Sequence, residues 1–218
     1  MTVTKMTNHK KCFARDNKIV EYVKRWGFLS TDQIAHLIFG GTKTSKRLAQ
    51  RRLKYLVKEN ILQRKRVSFD EPYIYWYNAK KNILQAAHIV ATNWIIIKLL
   101  SEKLGYEMVT MASYEDDYDI LRCDCFVEIY NDKEKNYRHY FIEADISHND
   151  FDKVVKYNKL YENYKDIKQS WIKRTEGFPT ILITTHRKKS IEKRLFKENK
   201  HGLEFQIFDY DELRRRFV

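Results

Sequence analysis

The chain has 218 residues, 43% of them hydrophobic and 14% aromatic, enough for one large core or two small ones. Six Gly and two Pro argue against long disordered linkers, and the apolar run at residues 94–97, between Asn93 and Lys98, is far too short to span a bilayer. The net charge of +13 is uneven: residues 1–86 hold 19 Lys and Arg against 6 Asp and Glu, whereas residues 87–218 hold 23 of each.

A basic module joined to a neutral one implies a polyanion partner for the first, with phosphate contacts supplying much of the affinity. RNA-binding proteins share that bias, so charge alone does not select DNA. Cys12, Cys123 and Cys125 form no zinc pattern, and free thiols in a reducing cytosol are the plain reading. The N-terminal MTVTKMTNHKK lacks the apolar segment of a signal peptide. A soluble cytoplasmic protein is expected.

Residues 1–14 read as a basic arm. Residues 15–26 read as a helix buried through Ile19, Val20, Val23 and Trp26. Ser30 caps the next helix, and Gln33, three residues on, closes a capping box. Gly40 and Gly41 break the chain, and Thr42 or Thr44 restarts it. In the helix that follows, Arg47, Gln50, Arg51, Lys54 and Lys58 fall within an arc of roughly 100°. Leu48, Ala49, Leu53, Leu56 and Val57 take the opposite side, and only Arg52 is out of place.

Helix, tight turn and basic helix are what a helix-turn-helix needs to put its second helix in a major groove. Lys43, Lys46, Arg47, Gln50, Arg51 and Lys54 are the candidate contacts to the groove or its phosphates, with Lys58 completing the face. Asn60 ends the helix. Residues 61–67 and 73–77 then read as two strands around a turn at 68–72, which makes residues 15–80 a winged helix. Arg64, Lys65 and Arg66 sit on the wing, in reach of phosphates or a minor groove.

Residues 79–82 are the expected boundary, and a helix spans 83–104. Strands at 106–112, 121–130 and 137–146, a helix at 151–168, a strand at 180–185, a helix at 188–199, a strand at 204–209 and a last helical turn at 211–217 follow. Residues 83–218 therefore predict an α/β domain with a mixed sheet. Alternation puts Asp124, Phe126 and Glu128 on one face of a strand, and Phe141, Glu143 and Asp145 on one face of the next. If these strands pair, Asp124, Glu143 and Asp145 converge. Adjacent carboxylates repel unless a cation lies between them, and Mg²⁺ held so activates water against a phosphodiester.

Asp124, Glu143-Ala-Asp145 at a strand end and a following basic helix resemble the core of the PD-(D/E)xK nuclease superfamily. The resemblance implies a restriction-endonuclease-like fold in which Asp124 and Glu143 bind metal. Asp145 stands where the superfamily has its lysine and cannot supply that positive charge. Migrated lysines occur there, which makes Lys153 and Lys156 candidate substitutes; Asp124, Glu143, Asp145 and Lys156 form the implied catalytic set.

The whole chain also resembles the replication-relaxation family of plasmids and mobile elements. The resemblance rests on the Ile61-Leu-Gln-Arg wing, the Tyr-rich strand before Asn78, His88, Glu143-Ala-Asp145 and Lys159-Leu-Tyr161-Glu-Asn-Tyr164. It implies a sequence-specific double-stranded DNA-binding protein of a plasmid, phage or integrative element, acting in replication, relaxation, transfer or transcriptional control. The nuclease-like domain is then a non-catalytic scaffold for a homodimer or for replication or transfer proteins. The alternative is a metal-dependent endonuclease guided by the winged helix. No His-hydrophobe-His motif is present, which argues against nicking through a covalent tyrosine.

Overall fold

The computed structural model describes residues 8–40, 42, 44–77, 83–146, 150–175 and 177–218. Among them, seven α-helices and eight strands form a mixed α and β fold. The chain divides into two compact units, residues 1–93 with 215–218, and residues 94–214. Residues 79–82, the expected boundary, lie outside the described residues.

In the first unit, α1 (Asn8–Trp26) begins well before residue 15, so half of the expected arm is helix and residues 1–7 fall outside the description. A two-residue strand that the sequence did not announce, β1 (Leu29–Ser30), leads into α2 (Thr31–Phe39) and α3 (Ser45–Lys58). The hairpin is shorter than expected: β2 (Gln63–Lys65) and β3 (Ile74–Trp76) pair antiparallel, and β1 pairs with β3 to give the order β1-β3-β2.

Local chemistry explains these boundaries. Gln33 N donates to Ser30 Oγ at 3.2 Å and Ser30 N to Gln33 Oε1 at 3.0 Å, the expected capping box. Gly40 ends α2 at φ 80°, which a side chain rarely adopts. Neither threonine caps α3 through its side chain. Ser45 Oγ instead receives Thr42 N and donates to Phe39 O, both at 2.8 Å, tying the turn together. Asn60 takes φ 58° just past α3, where its short polar side chain tolerates the left-handed region. Phe28, Ile74, Trp76 and Val90 form a core beneath the sheet.

The division between the units falls inside α4 (Ala86–Glu102), which a 3₁₀ turn at Ile83–Gln85 precedes. In the second unit, β4 (Glu107–Tyr114), β5 (Cys125–Asn131) and β6 (Asn136–Asp145) pair antiparallel. Then α5 (Lys153–Asn163) crosses to β7 (Thr180–Thr185) and α6 (Lys188–Glu198) crosses to β8 (Phe205–Asp209), both strands parallel to their neighbours. The result is a five-stranded mixed sheet in chain order, closed by α7 (Tyr210–Arg215).

Phe126, Phe141, Tyr157, Leu160 and Trp171 pack over this sheet, with Trp171 supplied by a 3₁₀ segment, Ser170–Arg174, that periodicity did not predict. Cys123 and Cys125 are free and buried. Burial raises the pKa of both thiols, with Glu143 and Asp116 near Cys123, and Asp116 and Asp124 near Cys125, adding to it. Among the described residues, no helix is long and apolar enough to cross a membrane.

Candidate nucleic-acid interface and buried carboxylate site

Helix α3 sorts its side chains as its periodicity requires. Ala49, Leu53 and Leu56 are buried, while Lys46, Arg47, Gln50, Arg51, Lys54 and Lys58 are exposed. Lys46 Nζ meets the buried carboxylate of Asp32 on α2 at 2.8 Å, so it braces the turn while remaining half exposed. Arg52, the residue out of place, turns inward: its Nε donates to Asp16 Oδ1 on α1 at 2.9 Å, and its guanidinium lies 4.9 Å from the Tyr55 ring. What remains outward is a cationic and amide-bearing face suited to phosphates and base edges. Lys43 lies outside the described residues.

On the hairpin, Arg64, Lys65 and Arg66 are exposed. Arg64 and Arg66 stand 4.3 and 4.2 Å from the Tyr73 ring, and Arg66 Nη1 donates to Phe69 O at 3.3 Å. The ring holds two guanidiniums in place without neutralising them, so their charge stays available to an anion.

In the second unit, alternation along β6 puts Glu143 and Asp145 on the face that carries Phe141. Asp124 lies in a bend just before β5, not inside a strand, and Ala144 N donates to its Oδ2 at 2.7 Å. Asp124 is thus tied to β6 beside Glu143. Glu143 is fully buried and both its oxygens are engaged: Tyr157 OH donates to Oε1 at 2.6 Å, and Lys153 Nζ lies 2.8 Å from Oε2. Burial pushes its pKa up to about 8, the neighbouring Asp124 adds to this, and Lys153 and Tyr157 offset only part. Burial pulls the Lys153 pKa down, but Glu143 and Asp124 outweigh it and the net shift is upward. Lys153 also donates to the carbonyl of Arg122.

The other two members of the expected set lie elsewhere. Asp145 is enclosed by Thr185 Oγ1 at 2.7 Å and by Arg187, whose Nη2 and Nε reach its two oxygens at 2.6 and 3.3 Å. Lys156 pairs with Asp152 at 2.7 Å on the surface, one helical turn back, and does not join Glu143. Lys153 is the lysine brought to the carboxylate, because its turn of α5 faces β6. Tyr157, four residues on and hence on the same helical face, escaped the sequence reading; that spacing from Lys153 was the available signal.

Mg²⁺ was the cation expected at Asp124 and Glu143, and the donor set does not fit it. Among the described residues, no group of three or more His, Cys, Asp and Glu could hold a metal ion. Glu143 spends both oxygens on Tyr157 and Lys153. A carboxyl engaged on both oxygens has little left to offer a hard dication that needs oxygen ligands.

Two further clusters of titratable side chains in this unit, an acidic loop and a histidine, are also internally paired. The acidic loop at 115–119 is closed by Arg122, whose Nη2 donates to Glu115 Oε2 at 2.5 Å. His139 packs against Glu128 at 3.0 Å, with Arg174 on the same oxygen at 2.7 Å and Thr110 on the other at 2.7 Å. Burial lowers the His139 pKa against the pull of Glu128. No family model, curated protein or solved structure matches the chain.

Proposed function

We propose that the chain is a double-stranded DNA-binding protein whose first unit works as a winged helix, with α3 in a major groove and the β2–β3 hairpin along the backbone. The observation that carries this reading is the division of labour on α3. Arg47, Gln50, Arg51, Lys54 and Lys58 are exposed on one face, while Arg52, their only misplaced neighbour, is withdrawn into an ion pair with Asp16. The excess positive charge of residues 1–86 supports it.

The second unit is read as a nuclease-like scaffold that does not cut. Its order α4-β4-β5-β6-α5-β7 supports the PD-(D/E)xK resemblance, and the engaged state of Glu143 and Asp145 supports the loss of catalysis. On the replication-relaxation resemblance, the protein serves a plasmid, phage or integrative element as a cytoplasmic homodimer in replication, transfer or their control.

The test uses the full chain. Duplexes selected from a random pool are titrated by fluorescence anisotropy at several salt concentrations. Specific affinity should fall steeply with salt, by a log–log slope of about 0.9 per phosphate contacted. Arg47→Ala and Arg51→Ala should each cost about 1–3 kcal/mol if they read bases. Absence of any salt-sensitive duplex binding would end this reading. Supercoiled plasmid with Mg²⁺ or Mn²⁺ should stay intact; nicking abolished by Asp124→Ala or Glu143→Ala would replace the scaffold with an endonuclease.

A further inference from the structure

The second unit is neutral in sum, yet α6 is not neutral in arrangement. At 100° per residue, Lys189, Lys193, Phe196 and Lys197 fall within an arc of about 100°, and Lys200 follows just past the helix end. All five are exposed, and Phe196 keeps 93% of its surface in water, the most of any large hydrophobic side chain described. The acids nearby are accounted for: Arg194 pairs with Glu198 at 3.0 Å and also holds Asp150, and Glu192 borders the stripe without interrupting it. Among the described residues, none of the four lysines makes an ion pair. The helix spends its own apolar residues, Ile191 and Leu195, on the core.

We infer that this face of α6 binds single-stranded nucleic acid, the lysines following the phosphates and Phe196 stacking on an unpaired base. The chemistry selects the ligand. Four free ammonium groups call for a polyanion, and one bare ring among them calls for a polyanion that carries flat aromatic groups. Bases in a duplex hide their faces, so the strand must be single. An anionic membrane would need an apolar face to enter the lipid, and here Phe196 stands alone. Residues 189–198 span about 14 Å of helix at 1.5 Å per residue, room for a short stretch of a few nucleotides. This inference does not depend on the duplex-binding reading of the first unit.

The experiment titrates the full chain with fluorescent oligo(dT) of 12 nucleotides, with inorganic polyphosphate and with phosphatidylserine vesicles. Phe196→Ala should weaken oligo(dT) binding about tenfold and leave polyphosphate binding unchanged, because only the stack is lost. Phe196→Trp should restore the affinity and add an emission that oligo(dT) quenches and polyphosphate does not. Lys193→Gln with Lys197→Gln should weaken both polyanions. Being exposed, these substitutions should leave the melting temperature unchanged. Equal oligo(dT) affinity in wild type and Phe196→Ala would overturn the inference, as would loss of vesicle binding with no effect on oligo(dT).

Discussion

Arg52 on α3 donates to Asp16 on α1 through two nitrogens, whereas Arg51, one residue earlier, lies exposed on the cationic face. Two adjacent arginines therefore have separable roles. Arg52→Ala should destabilise the fold by about 1.5–3 kcal/mol, since it removes a charge-assisted, part-buried bond and strands Asp16. Arg51→Ala should shift stability by no more than about 0.5 kcal/mol while weakening duplex binding. Urea unfolding of both variants, beside anisotropy titrations, separates the two effects.

Glu143 makes stability depend on pH in an unusual sense for a carboxylate. Its folded pKa, about 8, lies above the ordinary 4.5, so the folded state binds the extra proton between those values. The contribution is fully present below about pH 4.5 and is lost as pH rises through about 8. Glu143→Gln keeps an acceptor for Tyr157 and has no proton to lose. The stability difference between wild type and this variant should move against wild type from pH 5 to 8.5, as followed by chemical denaturation at each pH. A flat difference would contradict the buried, protonated carboxyl.

Lys153 and Lys156 lie three residues apart and should respond differently. Lys153→Met leaves Glu143 buried with no cation beside it. The cost should be about 1–3 kcal/mol at pH 9, where the carboxylate would otherwise ionise, and smaller at pH 5. Lys156→Met breaks only a surface pair with Asp152, worth less than about 0.5 kcal/mol at either pH. Equal effects would mean that Lys153 does not hold Glu143.

Gln33 joins two levels of structure. Its Oε1 closes the capping box with Ser30 N, and its Nε2 donates to Val90 O on α4 at 2.7 Å. Gln33→Ala should cost about 2 kcal/mol, combining a cap with a buried hydrogen bond. Gln33→Glu is the sharper test. Glutamate suits a capping box as well as glutamine does, yet its carboxylate would face the Val90 carbonyl with no hydrogen to offer. Thermal melts should therefore show Gln33→Glu destabilised as well, a result that local capping alone would not produce.

Short-range rules made much of the first unit legible. The capping box runs over four residues, Ser30 to Gln33, and the basic face of α3 is a matter of 100° steps; in the second unit, β7 occupies the expected residues 180–185. These features depend on neighbours within a few positions, so one chain displays them. The two-residue β1 escaped because it exists only by pairing with β3, more than forty positions away.

The carboxylate site shows where such reading ends. Alternation put Glu143 and Asp145 on one face of a strand, and they are there. It could not say that Arg187 would enclose Asp145, that Tyr157 and Lys153 would engage both oxygens of Glu143, or that Lys156 would turn to Asp152. Periodicity determines which residues of one element share a side. Which partners they meet depends on how separate elements pack, and at buried charges that packing decides between a metal ligand and an internally satisfied acid.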